Sequence, residues 1–206
     1  MKKSILKASV VSSLLCSLTF AEGAFIGFES DYSFQSNLKT KGLGDKVVEV
    51  KDGQAGIGLK LGYDFDIYRV YGSYIYDFEA KETIQDDTHG FVTPKWTTHK
   101  LIVGADYTPS ITNDFKLAIG AYTGMSIINL KATYKDNGNY VENSDNSEGL
   151  ILGAKLGGIY SIDSNNEIEF GFKTDRTKYR KFKDGLDLRD TRETNYGLYI
   201  GYNYKF

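Results

Sequence analysis

The stretch YGLYIGYNYKF, Tyr196 to Phe206, closes the sequence. Tyr196, Leu198, Ile200, Tyr202, Tyr204 and Phe206 share one parity; Gly197, Tyr199, Gly201, Asn203 and Lys205 share the other. Successive side chains of a strand point to opposite faces, so the first set makes an uncharged, aromatic-rich face and the second a polar one with glycine. Such a strand, stopping on an aromatic residue, is expected as the closing strand of a β-barrel whose outside meets lipid.

Working outward, the same alternation recurs in seven upstream segments, near 24–34, 54–65, 68–78, 100–107, 114–127, 149–161 and 167–173. The second is the cleanest. Ala55, Ile57, Leu59, Leu61, Tyr63 and Phe65 stand against Gln54, Gly56, Gly58, Lys60, Gly62 and Asp64. Parity alone does not say which face is outside, since a lipocalin-like soluble barrel would hide the apolar rows and a soluble β-sandwich would also alternate. Three features point outward. The polar face is rich in glycine, which suits a narrow eight-stranded interior filled by side chains. The apolar rows end in aromatics, with Phe65, Tyr68, Tyr107, Phe115, Tyr160 and Tyr204 at one end and Tyr32, Phe34, Tyr76 and Phe78 at the other; these suit a lipid–water boundary. Finally, short connections (66–67, 108–113, 161–166) alternate with long ones (35–53, 80–96, 131–147, 176–192). The expected fold is therefore all-β: an eight-stranded antiparallel up-and-down transmembrane barrel, with short periplasmic turns, four long extracellular loops and both termini periplasmic.

Composition agrees. The chain has 206 residues, a net charge of −2, 22 glycines, 16 tyrosines, 12 phenylalanines and only 2 prolines. That charge gives no reason to expect a nucleic-acid partner. Its mean hydropathy of −0.36 would suit a soluble protein, but only alternate residues of a membrane barrel strand meet lipid. The start reads as a secretory signal: Lys2, Lys3 and Lys7, then an apolar run from Ala8 to Phe20, then small residues at Thr19 and Ala21. Cleavage after Ala21 is expected, giving a signal peptide at 1–21 and a barrel domain at 22–206. An anchor helix would need ~20 apolar residues, and the run is shorter and carries Ser12, Ser13 and Ser17. The one cysteine, Cys16, falls in this segment, so no disulfide framework is expected.

On these residues the chain resembles the small eight-stranded outer-membrane barrels of Gram-negative bacteria, the OmpA/OmpX-like class. The pattern Gly201-x-x-Tyr204-x-Phe206 is similar to the signal read by the outer-membrane assembly machinery. The resemblance implies a stand-alone barrel without a following peptidoglycan-binding domain. It implies the outer membrane as location, and outer-membrane lipid, lipopolysaccharide and the assembly machinery as partners. A monomer is expected. The resemblance does not specify an activity.

Candidate chemistry is sparse. His89 and His99 are the only histidines, and neither has a serine and carboxylate at readable spacing for a triad. The inward parity carries charges of both signs: Glu29, Asp31, Lys60, Arg69, Asp77, Lys100, Asp106, Lys116, Lys155, Glu167, Glu169, Lys173 and Glu193. Mixed signs there predict an interlocking network that plugs the lumen, because unpaired buried charges are costly; an ion path is the alternative. Arg176, Lys178, Arg180, Lys181 and Lys183 lie near the expected outer rim, placed to contact lipopolysaccharide phosphates. The acidic stretch 136–148 has oxygen ligands suited to Ca²⁺ but no EF-hand spacing, and reads as a surface loop. No cofactor and no catalytic residue are expected. The function expected is a structural, cell-surface role, with a small diffusion channel or a lipid-modifying enzyme as alternatives.

Overall fold

A computed structural model describes residues 22–41, 47–86, 90–136, 139–180 and 189–206. The expected signal peptide at 1–21 and His89 lie outside the described residues. Nine strands are present among them: β1 (Ala24–Lys41), β2 (Val47–Asp64), β3 (Tyr68–Lys81), the short β4 (Ile84–Asp86), β5 (Gly90–Tyr107), β6 (Phe115–Asp136), β7 (Asn139–Ser161), β8 (Asn166–Tyr179) and β9 (Arg189–Lys205). Each long strand pairs antiparallel with its sequence neighbours, β1 pairs with β9, and β3 pairs with β5 across the short β4. The eight long strands thus form a closed up-and-down barrel, with β4 an appendage of β5.

The three connections at the end holding both termini are short, as expected. Asp66 takes a left-handed backbone (φ 75°), a conformation Asp tolerates better than most residues, while Phe65 N–H bonds to the Tyr68 carbonyl at 2.7 Å. Asp163 accepts backbone N–H bonds from Asn165 (2.9 Å) and Asn166 (2.8 Å). These hold its carboxyl below the usual aspartate range.

The opposite end differs from the expected long loops. Strand pairing runs through most of 35–53, 80–96 and 131–147 and through most of the described part of 176–192, and β6 with β7 pairs as far as Asp136 opposite Asn139. The stretch 136–148 is accordingly mostly strand. Two β-bulges explain part of the misreading. Register shifts between Ser33 and Ser36 in β1 and between Asp77 and Ala80 in β3. Each extra residue flips the parity beyond it. Ser36 and Leu38 therefore point inward, and Lys39 outward.

The outside of the barrel is apolar. Leu101, Val103, Leu150 and Leu152 leave 61–66% of their surface uncovered. Exposed Phe65, Tyr68, Tyr107, Tyr160 and Tyr204 mark one rim, and exposed Tyr32, Phe34 and Phe78 with half-buried Tyr76 the other. A continuous apolar belt of this extent is too large for a wetted surface and fits a hydrocarbon solvent.

Glycine admits aromatic rings to the lumen. Tyr122 faces Gly153 directly across β6 and β7. A Cβ on Gly153 would lie 2.3 Å from Tyr122 Cζ. Gly153→Val is expected to push the ring off and to destabilise the barrel by about 1–3 kcal/mol, as overpacking does. Urea unfolding in lipid vesicles measures this, and an unchanged midpoint would show that Tyr122 has room to spare.

Candidate functional site

The inward face holds a series of polar clusters along the lumen. At the terminal end Arg69 of β3 donates to Asp64 Oδ2 (2.7 Å) and to Glu167 Oε2 (2.6 Å), and its guanidinium covers the Phe25 ring. Lys116 sits at this rim rather than in the centre, donating to the Asp66 backbone carbonyl (2.8 Å) and side chain (3.1 Å). In the middle, Glu169 of β8 accepts from both Lys60 (2.8 Å) and Lys155 (2.7 Å). Lys155 also reaches Asp106 at 2.8 Å and lies over the Tyr71 ring at 4.4 Å. Lys173 donates to Glu29 (3.1 Å) and Asp31 (2.8 Å).

Towards the other end Lys100 pairs with Asp77 (2.8 Å), which also accepts from Thr98 (2.6 Å). Asp175 accepts from Tyr122 Oη (3.0 Å) and Asn195 Nδ2 (2.9 Å). Glu193 accepts from Tyr179 Oη (2.5 Å) and Ser36 Oγ (3.1 Å). Except for Lys116, every lumen charge named from the sequence is buried, and each but Glu193, which accepts from two hydroxyls, has an oppositely charged partner. The network is mostly transverse: Glu167, Glu169, Lys173 and Asp175 all stand on β8 and meet groups on β1, β2, β3, β5, β7 and β9.

Two features escape a reading of the sequence. First, one side of the lumen is apolar, where Tyr71, Ile75, Ile102, Tyr122 and Ile151 pack with Phe25. Their parity is legible; the contact among strands distant in sequence is not. Second, beyond the rim of Tyr32 and Phe78, the barrel interior becomes a small dry core of Leu38, Val50, Ala80, Trp96, Ile128, Leu130 and Tyr179. Leu38 and Ala80 enter it only because the two bulges reverse parity. Asp64 and Asp175 are lumen charges outside the set named from the sequence.

Other candidates take peripheral places. His99 faces outward, its Nδ1 hydrogen-bonded to Tyr74 Oη (2.8 Å) and its ring 4.9 Å from Tyr76. Arg176, Lys178 and Arg180 are exposed, while Lys181 and Lys183 lie outside the described residues. Gly201 is buried, and Tyr204 and Phe206 are exposed with their rings edge to face. Phe206 N–H bonds to the Ala24 carbonyl, tying the C-terminus to β1. Among the described residues no group of three or more His, Cys, Asp or Glu side chains is arranged to hold a metal.

Solved structures share this architecture. Neisserial surface protein A aligns over 89% of this chain and 97% of its own, with a TM-score of 0.52 at 14% identity. A major outer membrane protein from Thermus thermophilus aligns over 87% and 99%, at 0.51 and 12%. The outer membrane protease OmpT from Escherichia coli aligns over 92% and 99%, at 0.50 and 11%. The chain folds as an outer-membrane-type β-barrel. At these identities the likeness is one of fold. No protein-family model and no curated protein sequence matches the chain. A barrel of this type can carry quite different activities, so the lumen and the outer wall of this particular barrel must supply the functional argument.

Proposed function

We propose that this chain is a structural outer-membrane barrel with a sealed lumen and no catalysis. Its termini and short turns are in the periplasm and its extended hairpins face outward at the cell surface. In this reading residues 1–21 are a cleaved signal peptide, and the assembly machinery reads Gly201, Tyr204 and Phe206. The barrel acts alone, reinforcing the membrane and presenting its hairpins to the surroundings.

The observation that carries the sealed reading is the combination of the transverse ion pairs with the apolar plug around Trp96. An ion crossing the lumen would have to displace Lys155 from two carboxylates and then enter a dry core. Planar-bilayer recording tests it. The expected result is no steady conductance at neutral pH. Reproducible ohmic steps would overturn the sealed lumen and favour a diffusion channel. The membrane assignment has its own check. The protein is expected in the outer-membrane fraction with heat-modifiable gel migration, and recovery from the soluble periplasm would end it.

A further inference from the structure

One buried carboxylate of the lumen lacks a cation. Glu193 of β9 is 0% exposed and accepts from two hydroxyls, Tyr179 Oη at 2.5 Å and Ser36 Oγ at 3.1 Å. Among the described residues no lysine or arginine stands within ion-pair distance of it. Lys100 of β5 attracts it from further away, but that ammonium is already engaged by Asp77 of β3 (2.8 Å) and Asp175 of β8 (3.8 Å). Both of those carboxylates repel Glu193. Three acids thus share one lysine at this level of the lumen.

Glu193 lies opposite Leu38 of β1, beyond the rim of Tyr32 and Phe34 and against the dry core around Trp96. Its donor Tyr179 is itself a member of that core, and Ser126 of β6 meets the same phenol oxygen at 3.0 Å. The phenol has one proton and gives it to Glu193, so the Ser126 hydroxyl donates. One carboxyl group thereby ties together β1, β6, β8 and β9. A neutral carboxyl suits this place, because Ser36 can turn its hydroxyl to accept the acid proton while Tyr179 still donates. An ionised one is left in a dry setting without a countercharge, which is costly. Burial accordingly pushes the Glu193 carboxyl above the usual glutamate range, against the pull of Lys100 and of the Tyr179 hydrogen bond.

We propose that Glu193 is a proton-controlled latch on the Trp96 core: protonated, it keeps Tyr179 packed; ionised, it draws water in and releases Tyr179. The proposal rests on the sealed-lumen reading above and adds its regulation. A carboxyl held above its unfolded value contributes stability that is fully present below the ordinary glutamate pKa of about 4.3 and is lost as pH rises through the raised one. The core is therefore tightest in acid and loosens towards alkaline pH. Ion pairs that lose their carboxylate charge in acid respond in the opposite sense. The Lys60, Lys155 and Glu169 cluster lies further towards the termini and keeps the lumen closed in both states.

Trp96 is the single tryptophan of the chain, so its emission reads the core directly. The test uses the barrel refolded in lipid vesicles and scanned between about pH 4 and pH 9, which spans ordinary and raised carboxylates. We expect the native emission to move to longer wavelength, and to lose its shielding from the neutral quencher acrylamide, along a one-proton curve as pH rises. Glu193→Gln keeps an uncharged group in place at every pH, so its Trp96 should stay shielded throughout. Tyr179→Phe removes a donor to the ionised carboxylate and should move the midpoint to higher pH. A native signal that does not change with pH would overturn the proposal, as would a Glu193→Gln chain that still titrates. Heat-modifiable migration shows that each variant is folded; should Glu193→Gln not fold, an unmoved Tyr179→Phe midpoint overturns the latch on its own. Planar-bilayer recording keeps the two readings apart. Steady conductance in acid, where the core is tightest, would defeat the sealed lumen, whatever Trp96 reports.

Discussion

Glu169→Gln is expected to destabilise the barrel by about 3–5 kcal/mol, the range for breaking a buried ion pair from one side. Glu169 is 1% exposed. It anchors Lys60 and Lys155, and Asn203 donates to it at 3.3 Å. Glutamine keeps the shape but removes the charge that both ammonium groups share, leaving Glu29 and Asp106 as their remaining anions. Urea unfolding in vesicles, followed by gel migration, measures the loss. Adding Lys155→Met should cost less than the sum of the two single changes, because the partner left unmatched is then gone. A Glu169→Gln barrel as stable as the native one would mean that water solvates these charges. The sealed lumen would then fail together with the prediction.

Trp96→Ala is expected to cost a similar amount, about 3–5 kcal/mol, for a different reason. Trp96 lies beyond the aromatic rim, in the part of the barrel surrounded by water rather than lipid. There the hydrophobic effect acts at full strength. Its side chain is 1% exposed among Leu38, Val50, Ala80, Ile128, Leu130 and Tyr179. Alanine would leave a cavity that paired strands on every side cannot collapse into. Trp96→Phe should be milder, since it also removes an indole N–H that has no acceptor among the described residues. The same unfolding assay separates the two variants. A loss well under 1 kcal/mol for alanine would show the cluster to be loosely packed, contrary to a packed interior.

Much of the architecture is readable from residue order. Parity assigns Leu101, Leu152 and Ile200 to one side and Lys60, Lys155 and Glu169 to the other, and turn residues such as Asp66 place the short connections. Two things are hidden. Alternation tells which side chains share a face, not which share a level, so the meeting of Lys60 with Glu169, 109 residues apart, depends on how far neighbouring strands are staggered. A bulge also leaves no strong mark in sequence. Phe34 and Gln35 give no sign that parity reverses between them and Ser36, so residue order puts Leu38 in a loop rather than in a core; Trp96 keeps the inward parity of Thr98 and Lys100, with no register shift in β5, but lies in a stretch that reads as a long connection. The outward-facing cations are half visible for the same reason: Arg176 and Lys178 continue β8, but Lys39 faces outward only through the bulge.

The transverse character of the ion pairs has a consequence for assembly. Lys173 on β8 finds its carboxylates on β1, at Glu29 and Asp31, more than 140 residues earlier. A half-delivered sheet would show those ions to hydrocarbon with no counterpart in reach. The polar interior therefore becomes tolerable only when the final strand is stitched to the first, and closing the ring and hiding the charges must happen as a single late event.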